Sequence, residues 1–119
     1  MIEEEQKSNK RSTIIVNNNK YLINEDGKTV SLVKWVDYDQ IQIIPRSINY
    51  QSKEYIITNI LEKAFYLNQG IKSVEFSEDS EVQTFGESSF QYSLIESISI
   101  PARLTKICKR AFSSCKFLK

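Results

Sequence analysis

The sequence predicts a β-rich α/β solenoid, in which short parallel strands and short helical or 3-10 turns repeat behind a section of antiparallel β-hairpins. An apolar pattern recurs three times in the second half of the chain, and its spacing is too irregular for one long amphipathic helix. The first half instead contains short β-branched runs separated by turn residues. Together these observations favour stacked short strands over one long helix or a set of independent helices.

The repeated pattern lies between Ile57 and Lys119. Each copy has two apolar residues three positions apart, then a phenylalanine, then a further apolar cluster. The copies are Ile57, Ile60, Phe65, Ile71, Val74 and Phe76; Val82, Phe85, Phe90, Ile95, Ile98 and Ile100; and Leu104, Ile107, Phe112, Phe117 and Leu118. Equivalent positions shift by 24 or 25 residues, then by 22. A period of roughly 20–50 residues is typical of a solenoid.

Within one copy, the local pattern predicts a strand and a tight turn. Ser73–Phe76 alternates polar and apolar residues, as a strand with one buried face should. Glu62–Tyr66 is long enough for a single helical or 3-10 turn that directs Phe65 inward. Because a single unit cannot cover its own apolar edge, stacking should align Phe65, Phe90 and Phe112 as an internal aromatic spine.

The amino-terminal part divides into a polar stretch and two hairpins. Residues 1–12 are charged and polar, and we expect a disordered tail. The run Thr13–Val16 is followed by Asn17–Asn19, which tolerate positive φ and indicate a hairpin turn. Asp26-Gly27 between two β-rich runs predicts a second hairpin with a type I′ turn. The strand after it could continue through Trp35 and Val36, with Trp35 in a small core.

A further strand and hairpin lead into the repeats. Ile41–Ile44 is predicted as a strand that Pro45 ends. Ile48–Tyr50 and Tyr55–Ile57 flank a polar stretch, which indicates another hairpin. The predicted organisation is therefore a tail (1–12), a hairpin section (13–56), and a repeat section (57–119) of two full repeats and part of a third.

Composition argues against most chemical functions. With 16 basic and 15 acidic residues, no global field attracts nucleic acid, and no apolar run approaches a membrane span. Histidine is absent and only three glycines occur, so His-dependent triads and phosphate-binding loops are ruled out. Cys108 and Cys115 fall short of a zinc site; a bridge between them stays open. We expect no enzymatic activity, no cofactor and no metal.

The third copy carries a family resemblance. The stretch Ile100–Leu118 reads I-P-A-R-L-T-K-I-C-K-R-A-F-S-S-C-K-F-L and resembles the BspA-like, or treponemal-type, leucine-rich repeat. Cys108 replaces the usual glycine, Ser89 replaces an alanine in the second copy, and Asn68 falls in the cysteine region of the first. The resemblance covers about residues 43–119. It implies a right-handed solenoid used for binding, in proteins mostly of the surface or secreted and associated with adhesion to host matrix proteins or other cells.

Strand alternation and this resemblance lead to a functional expectation. The side chains expected on the concave face of the sheet are Ser73, Glu75, Ser77, Ser97 and Ser99. We expect a non-catalytic protein-interaction module with an unknown protein ligand. The alternative is a truncated or degenerate repeat fragment with a structural role, which self-associates or is capped through its carboxyl-terminal end. The location is open, because the family suggests the cell surface whereas Met1–Lys7 lacks the features of a signal peptide.

Overall fold

A computed structural model of the chain describes residues 12–37 and 39–118. The predicted tail, apart from Ser12, lies outside the described residues. The described residues form ten strands and no helix: β1 (Thr13–Val16), β2 (Asn19–Ile23), β3 (Thr29–Lys34), β4 (Ile41–Ile44), β5 (Ser47–Tyr50), β6 (Lys53–Ile60), β7 (Ser73–Phe76), β8 (Thr84–Phe85), β9 (Ser97–Ile98) and β10 (Lys106–Ile107).

The strands form one mixed sheet and one parallel sheet. The larger sheet has the order β1-β2-β3-β6-β8-β10, with β5 also paired to β6; the smaller has the order β4-β7-β9. The pairs β6–β8, β8–β10 and β7–β9, which join copies of the repeat, are parallel, as predicted. The pairs β3–β6 and β4–β7, which were not predicted, are parallel too. The pairs β1–β2, β2–β3 and β5–β6 are antiparallel, so all three hairpins are confirmed.

Two of the hairpin turns follow the left-handed geometry of tight two-residue loops. Asn17 and Asn18 have φ of 52° and 72° between β1 and β2. Gln51 and Ser52 have φ of 51° and 64° between β5 and β6. Positive φ at both central residues matches the right-handed twist of the flanking strands.

The hairpin at Asp26-Gly27 is present, but the predicted type I′ turn is wrong. Only Gly27 is left-handed, at φ 68°, and its N–H donates to the Asn24 carbonyl at 3.0 Å. The Asp26 carboxylate accepts the N–H groups of Lys28 and Thr29 at 2.8 and 2.9 Å. Residues 24–28 thus connect β2 and β3, and the hydrogen bonds of the Asp26 carboxylate stabilise this loop. These bonds, first that from Lys28, hold the pKa of Asp26 below its usual value.

The predicted extension of β3 through Trp35 and Val36 is also wrong, because β3 ends at Lys34. The Trp35 N–H instead donates to the carbonyl of Ala64, in the turn of the first repeat, at 3.0 Å. Its indole is buried, as predicted, and the indole N–H donates to Gln42 Oε1 at 3.2 Å. Trp35 therefore connects the hairpin section to the first repeat.

The repeat turns are not helical, which corrects the prediction of a helical or 3-10 turn at Glu62–Tyr66. Lys63 and Leu67 have φ of 60° and 58°, and left-handed residues interrupt a right-handed helix. The N–H of Phe65 donates to the Ser89 carbonyl of the next repeat at 2.7 Å, and those of Lys63 and Leu67 make the equivalent bonds. Alternate amides thus bond across repeats, so the turns stack like strands.

The aromatic spine is confirmed and is longer than predicted. The Phe65 and Phe90 rings stack at 4.6 Å with 14° between their planes, and Phe90 and Phe112 stack at 5.2 Å and 4°. Trp35 continues the stack beyond Phe65 at 5.8 Å. Phe65 and Phe90 are almost wholly buried, whereas Phe112 is half-buried. One column of rings therefore joins the hairpin section to all three copies.

The predicted boundary between the hairpin section (13–56) and the repeats (57–119) falls inside β6. Lys53–Ile56 pair with β5, and Ile56, Ile57, Asn59 and Ile60 pair with β3. Asn59 and Ile60 also pair with β8 of the next copy. The boundary itself stays a prediction.

Candidate functional site

The candidate site is the solvent-facing side of the sheet β4-β7-β9. Its strands are aligned so that Ile41, Ser73 and Ser97 form one row, and Ile43 and Glu75 lie in the next. The intervening residues Gln42 and Val74 are buried and face the core. Alternation along each strand thus gives an outer face, which consists of Ile41, Ile43, Ser73, Glu75, Ser97 and Ser99.

The structure brings together four of the five predicted site residues on this outer face. The Ser97 hydroxyl lies 3.3 Å from that of Ser73, so the two can share a hydrogen bond across neighbouring repeats. The Ser99 hydroxyl accepts the Phe76 N–H at 2.8 Å, which fixes its position against β7. The Glu75 carboxylate is exposed and forms no ion pair with any residue in 12–37 or 39–118. The outer face therefore presents two hydrogen-bonded hydroxyls beside a carboxylate that has no ion-pair partner in the described residues.

Ser77 is placed differently from the other four. It follows β7, and its N–H donates to the Ile44 carbonyl at 3.1 Å. Its hydroxyl oxygen is buried and has no hydrogen-bond partner within the described part of the chain. Since the oxygen is closed off from solvent, Ser77 cannot offer its hydroxyl to a ligand in this conformation.

Sequence reasoning missed the two most exposed apolar side chains of the outer face. Ile41 and Ile43 of β4 are 64% and 61% exposed, although their strand was predicted correctly. The signal was available: Ile44-Pro45 matches Ile100-Pro101. Counting back from these two dipeptides puts Ile41 and Ile43 in register with Ser97 and Ser99. The outer face therefore combines an apolar edge with a polar centre.

The cysteines do not form a bridge. Both are free, and the Cys115 thiol donates to the Phe90 carbonyl at 2.9 Å, which ties it to the preceding turn. Cys115 thus acts as a packing and hydrogen-bonding residue at the position where the first two copies have Asn68 and Ser93. Asn68 does similar work: its carboxamide oxygen accepts the N–H groups of Gly70 and Ile71, both at 3.0 Å.

Two features are absent from the described residues. These residues contain no group of three or more Cys, Asp or Glu side chains placed to hold a metal ion. They also contain no helix of the length and apolarity that crossing a membrane requires.

Comparison with known families decides what kind of repeat this is. Residues 43–119 match the family model of the BspA-type leucine-rich repeat region, which is described as six copies. This match covers well over half of the chain. The chain belongs to the BspA-type leucine-rich-repeat family. The matched range coincides with the range of the resemblance seen in the sequence.

Solved structures agree with this assignment. A leucine-rich repeat protein from Bacteroides capillosus is 28% identical with a TM-score of 0.80, over 91% of this chain and 79% of that protein. The leucine-rich repeat protein of T. pallidum is 18% identical with a TM-score of 0.77, over 90% of this chain and 48% of that one. A leucine-rich cell surface protein from Faecalibacterium prausnitzii is 14% identical with a TM-score of 0.52, over 94% and 54%. No curated protein matches significantly.

Proposed function

We propose that this BspA-type chain is a non-catalytic protein-interaction module, built as a short right-handed solenoid that binds a protein ligand on its outer face. The observation that carries the proposal is the pair of exposed isoleucines, Ile41 and Ile43, aligned in one sheet with Ser73 and Glu75. The parallel β4-β7-β9 ladder and the stacked turns support the solenoid.

The composition of the outer face is suited to a protein ligand. Protein interfaces combine a desolvated apolar part with polar groups that fix orientation. Serines alone form a shallow surface of low affinity. Full burial of an isoleucine side chain, in contrast, contributes about 1.5–3 kcal/mol of favourable free energy. Glu75 adds a carboxylate free to pair with a cationic side chain, since no residue of the described part neutralises it. The expected ligand surface is therefore apolar beside a basic residue.

The class of partner and the location follow from the family. Proteins on a host matrix or on another cell are the proposed ligands, and the cell surface is the proposed location. The structural relative from F. prausnitzii is a cell surface protein by its description, and another relative is the pneumococcal vaccine antigen PcpA. Surface labelling of cells that express the protein tests the proposed location.

The test of the binding face is a panel of purified extracellular-matrix and cell-surface proteins, immobilised and probed with the full chain. The double variant Ile41→Ser/Ile43→Ser should weaken any captured interaction by at least about tenfold, because it removes the apolar contact. The matched control is Ile15→Ser, which removes an isoleucine of the same exposure from β1. Equal loss in both, or no effect in either, would show that the outer face is not the binding surface.

Self-association stays a prediction with a specific test. Ile107 and Phe117 of the third copy are both more than half exposed. If they mediate pairing, Phe117→Ser should shift sedimentation toward the monomer, whereas the outer-face variant should not.

A further inference from the structure

The strand β4 has an open edge. It pairs with β7 on one side, and no strand of the described residues pairs on the other. The Gln40 carbonyl accepts the Ser73 N–H at 2.9 Å, and the Ile44 carbonyl accepts the Ser77 N–H at 3.1 Å. In a ladder, alternate residues direct their backbone groups to the same neighbour. The N–H and C=O groups of Ile41 and Ile43 therefore point to the open edge.

A groove runs beside this edge. A cavity of about 360 Å³ is lined by Ile43 and Pro45 on the β4 side and by Asn17 and Asn19 of the first hairpin, with Trp35 also in its lining. A second cavity of about 400 Å³ adjoins it, since Asn17 lines both. The space is bounded by the first hairpin and β4, so it lies beside the strand that has no second partner strand among residues 12–37 and 39–118.

Two carboxylates, those of Asp37 and Asp39, precede β4 in the chain. Asp37 lines both cavities and Asp39 lines the second, and both residues are exposed. Neither forms an ion pair with a described residue. The groove thus combines apolar side chains and negative charge with backbone groups of β4 that have no strand partner in the described part of the chain.

We propose that the open edge of β4 accepts an extended segment of a partner protein as an added strand, with apolar residues along it and lysine or arginine at the end beside Asp37 and Asp39. Backbone bonds to Ile41 and Ile43 supply affinity, and alternate side chains supply selectivity. The partner differs from the ligand of the outer face, because this site reads backbone groups and the groove rather than Ser73, Glu75 and Ser97.

The probe is a fluorescein-labelled, amidated octapeptide with two lysines followed by alternating valine and threonine, and its binding to the full chain is measured by anisotropy. Ile43→Pro removes the N–H that faces the edge and leaves the β4–β7 bonds intact, since proline is tolerated on an edge strand. It should weaken binding at least about tenfold. Ile43→Val keeps the N–H and is the matched control, with a change of less than about threefold.

The charged end is tested separately. Asp37→Asn/Asp39→Asn should weaken binding several-fold and reduce its dependence on salt, because exposed ion pairs are screened. A peptide with glutamates in place of the lysines should bind more weakly than the original. Glu75→Gln on the outer face should leave the peptide affinity unchanged, which separates this site from the proposed ligand face.

A change in the peptide covers the case in which the Ile43→Pro variant does not fold. Methylating alternate backbone nitrogens of the probe removes its strand donors, and binding to the unaltered chain should be lost. Undiminished binding of the methylated peptide, or no saturable binding of the original, would overturn the proposal. A dimer of the unaltered chain that Ile43→Pro converts to a monomer would assign the edge to a second copy and overturn it as well.

Discussion

Removing Phe90 is expected to destabilise the fold more than any other conservative truncation, because its ring lies inside the aromatic spine. It is 1% exposed and stacks on both faces, against Phe65 at 4.6 Å and Phe112 at 5.2 Å, while Phe85 meets its edge at 5.4 Å. Phe90→Ala loses the transfer free energy of a buried ring and leaves a cavity, together about 3–5 kcal/mol. For a chain of this size the melting temperature should fall by about 10–20 °C.

The assay is denaturant and thermal unfolding followed by circular dichroism, with Phe112→Ala as the matched control. Phe112 is half-buried, and among described residues it stacks on one ring face only, so its truncation should cost roughly 1–2 kcal/mol. If Phe90→Ala costs no more than Phe112→Ala, the spine does not carry the stability assigned to it.

Three further predictions concern Ser89, Gly86 and Tyr21. Ser89→Ala should stabilise the protein by about 1 kcal/mol in chemical denaturation, because the Ser89 hydroxyl is buried without a hydrogen-bond partner in the described residues. A loss of stability would contradict this reasoning. Gly86→Ala should destabilise the protein by about 1–3 kcal/mol in the same assay, since a Cβ there would lie 2.7 Å from the Glu62 backbone nitrogen and 2.8 Å from the Leu61 carbonyl carbon. The control is Cys108→Ala at the equivalent position, which should lower the free energy of unfolding by less. Burial raises the pKa of Tyr21 to about 12, so the folded state favours the neutral phenol. The stabilisation that this preference contributes is complete below about pH 10, and about 2–3 kcal/mol of it should be lost as the pH rises toward 12. In a plot of the free energy of unfolding against pH, Tyr21→Phe should remove this decline.

The predictions that succeeded depend on short-range rules. Period-two alternation gave the strand at Ser73–Phe76, and the bounds of β4 were predicted correctly from Ile41–Ile44 and the proline that follows. Asparagines with positive φ placed the first hairpin, since that preference is local to the residue. The recurrence of Phe65, Phe90 and Phe112 at the same point of each copy, 25 and then 22 residues apart, predicted the stack, because a repeated unit returns each ring to the same place.

The predictions that failed depend on contacts between distant residues. The segment Glu62–Tyr66 has helix-forming composition, yet the amides of Lys63 and Phe65 bond to the next copy and so stack as a ladder. Asp26 and Gly27 favour a two-residue turn, but the Asp26 carboxylate binds two amides and widens it. Ser77 follows the alternation of its strand in sequence, yet its hydroxyl is enclosed.

The sequence by itself determined that the chain is a β-rich repeat protein of the BspA type, since period and apolar spacing are properties of the linear chain. Tertiary structure decided which strands are neighbours. The strand β4 lies directly beside β7 in one sheet, and Ile41 pairs with Ser73, 32 residues later in the chain.

 Tertiary structure also placed Ile41 and Ile43 beside Ser73 and Glu75. It left the far edge of β4 without a paired strand among the described residues. The physical reason is that hydrogen bonds between strands join residues far apart in the chain, and no local preference encodes which strand will supply them.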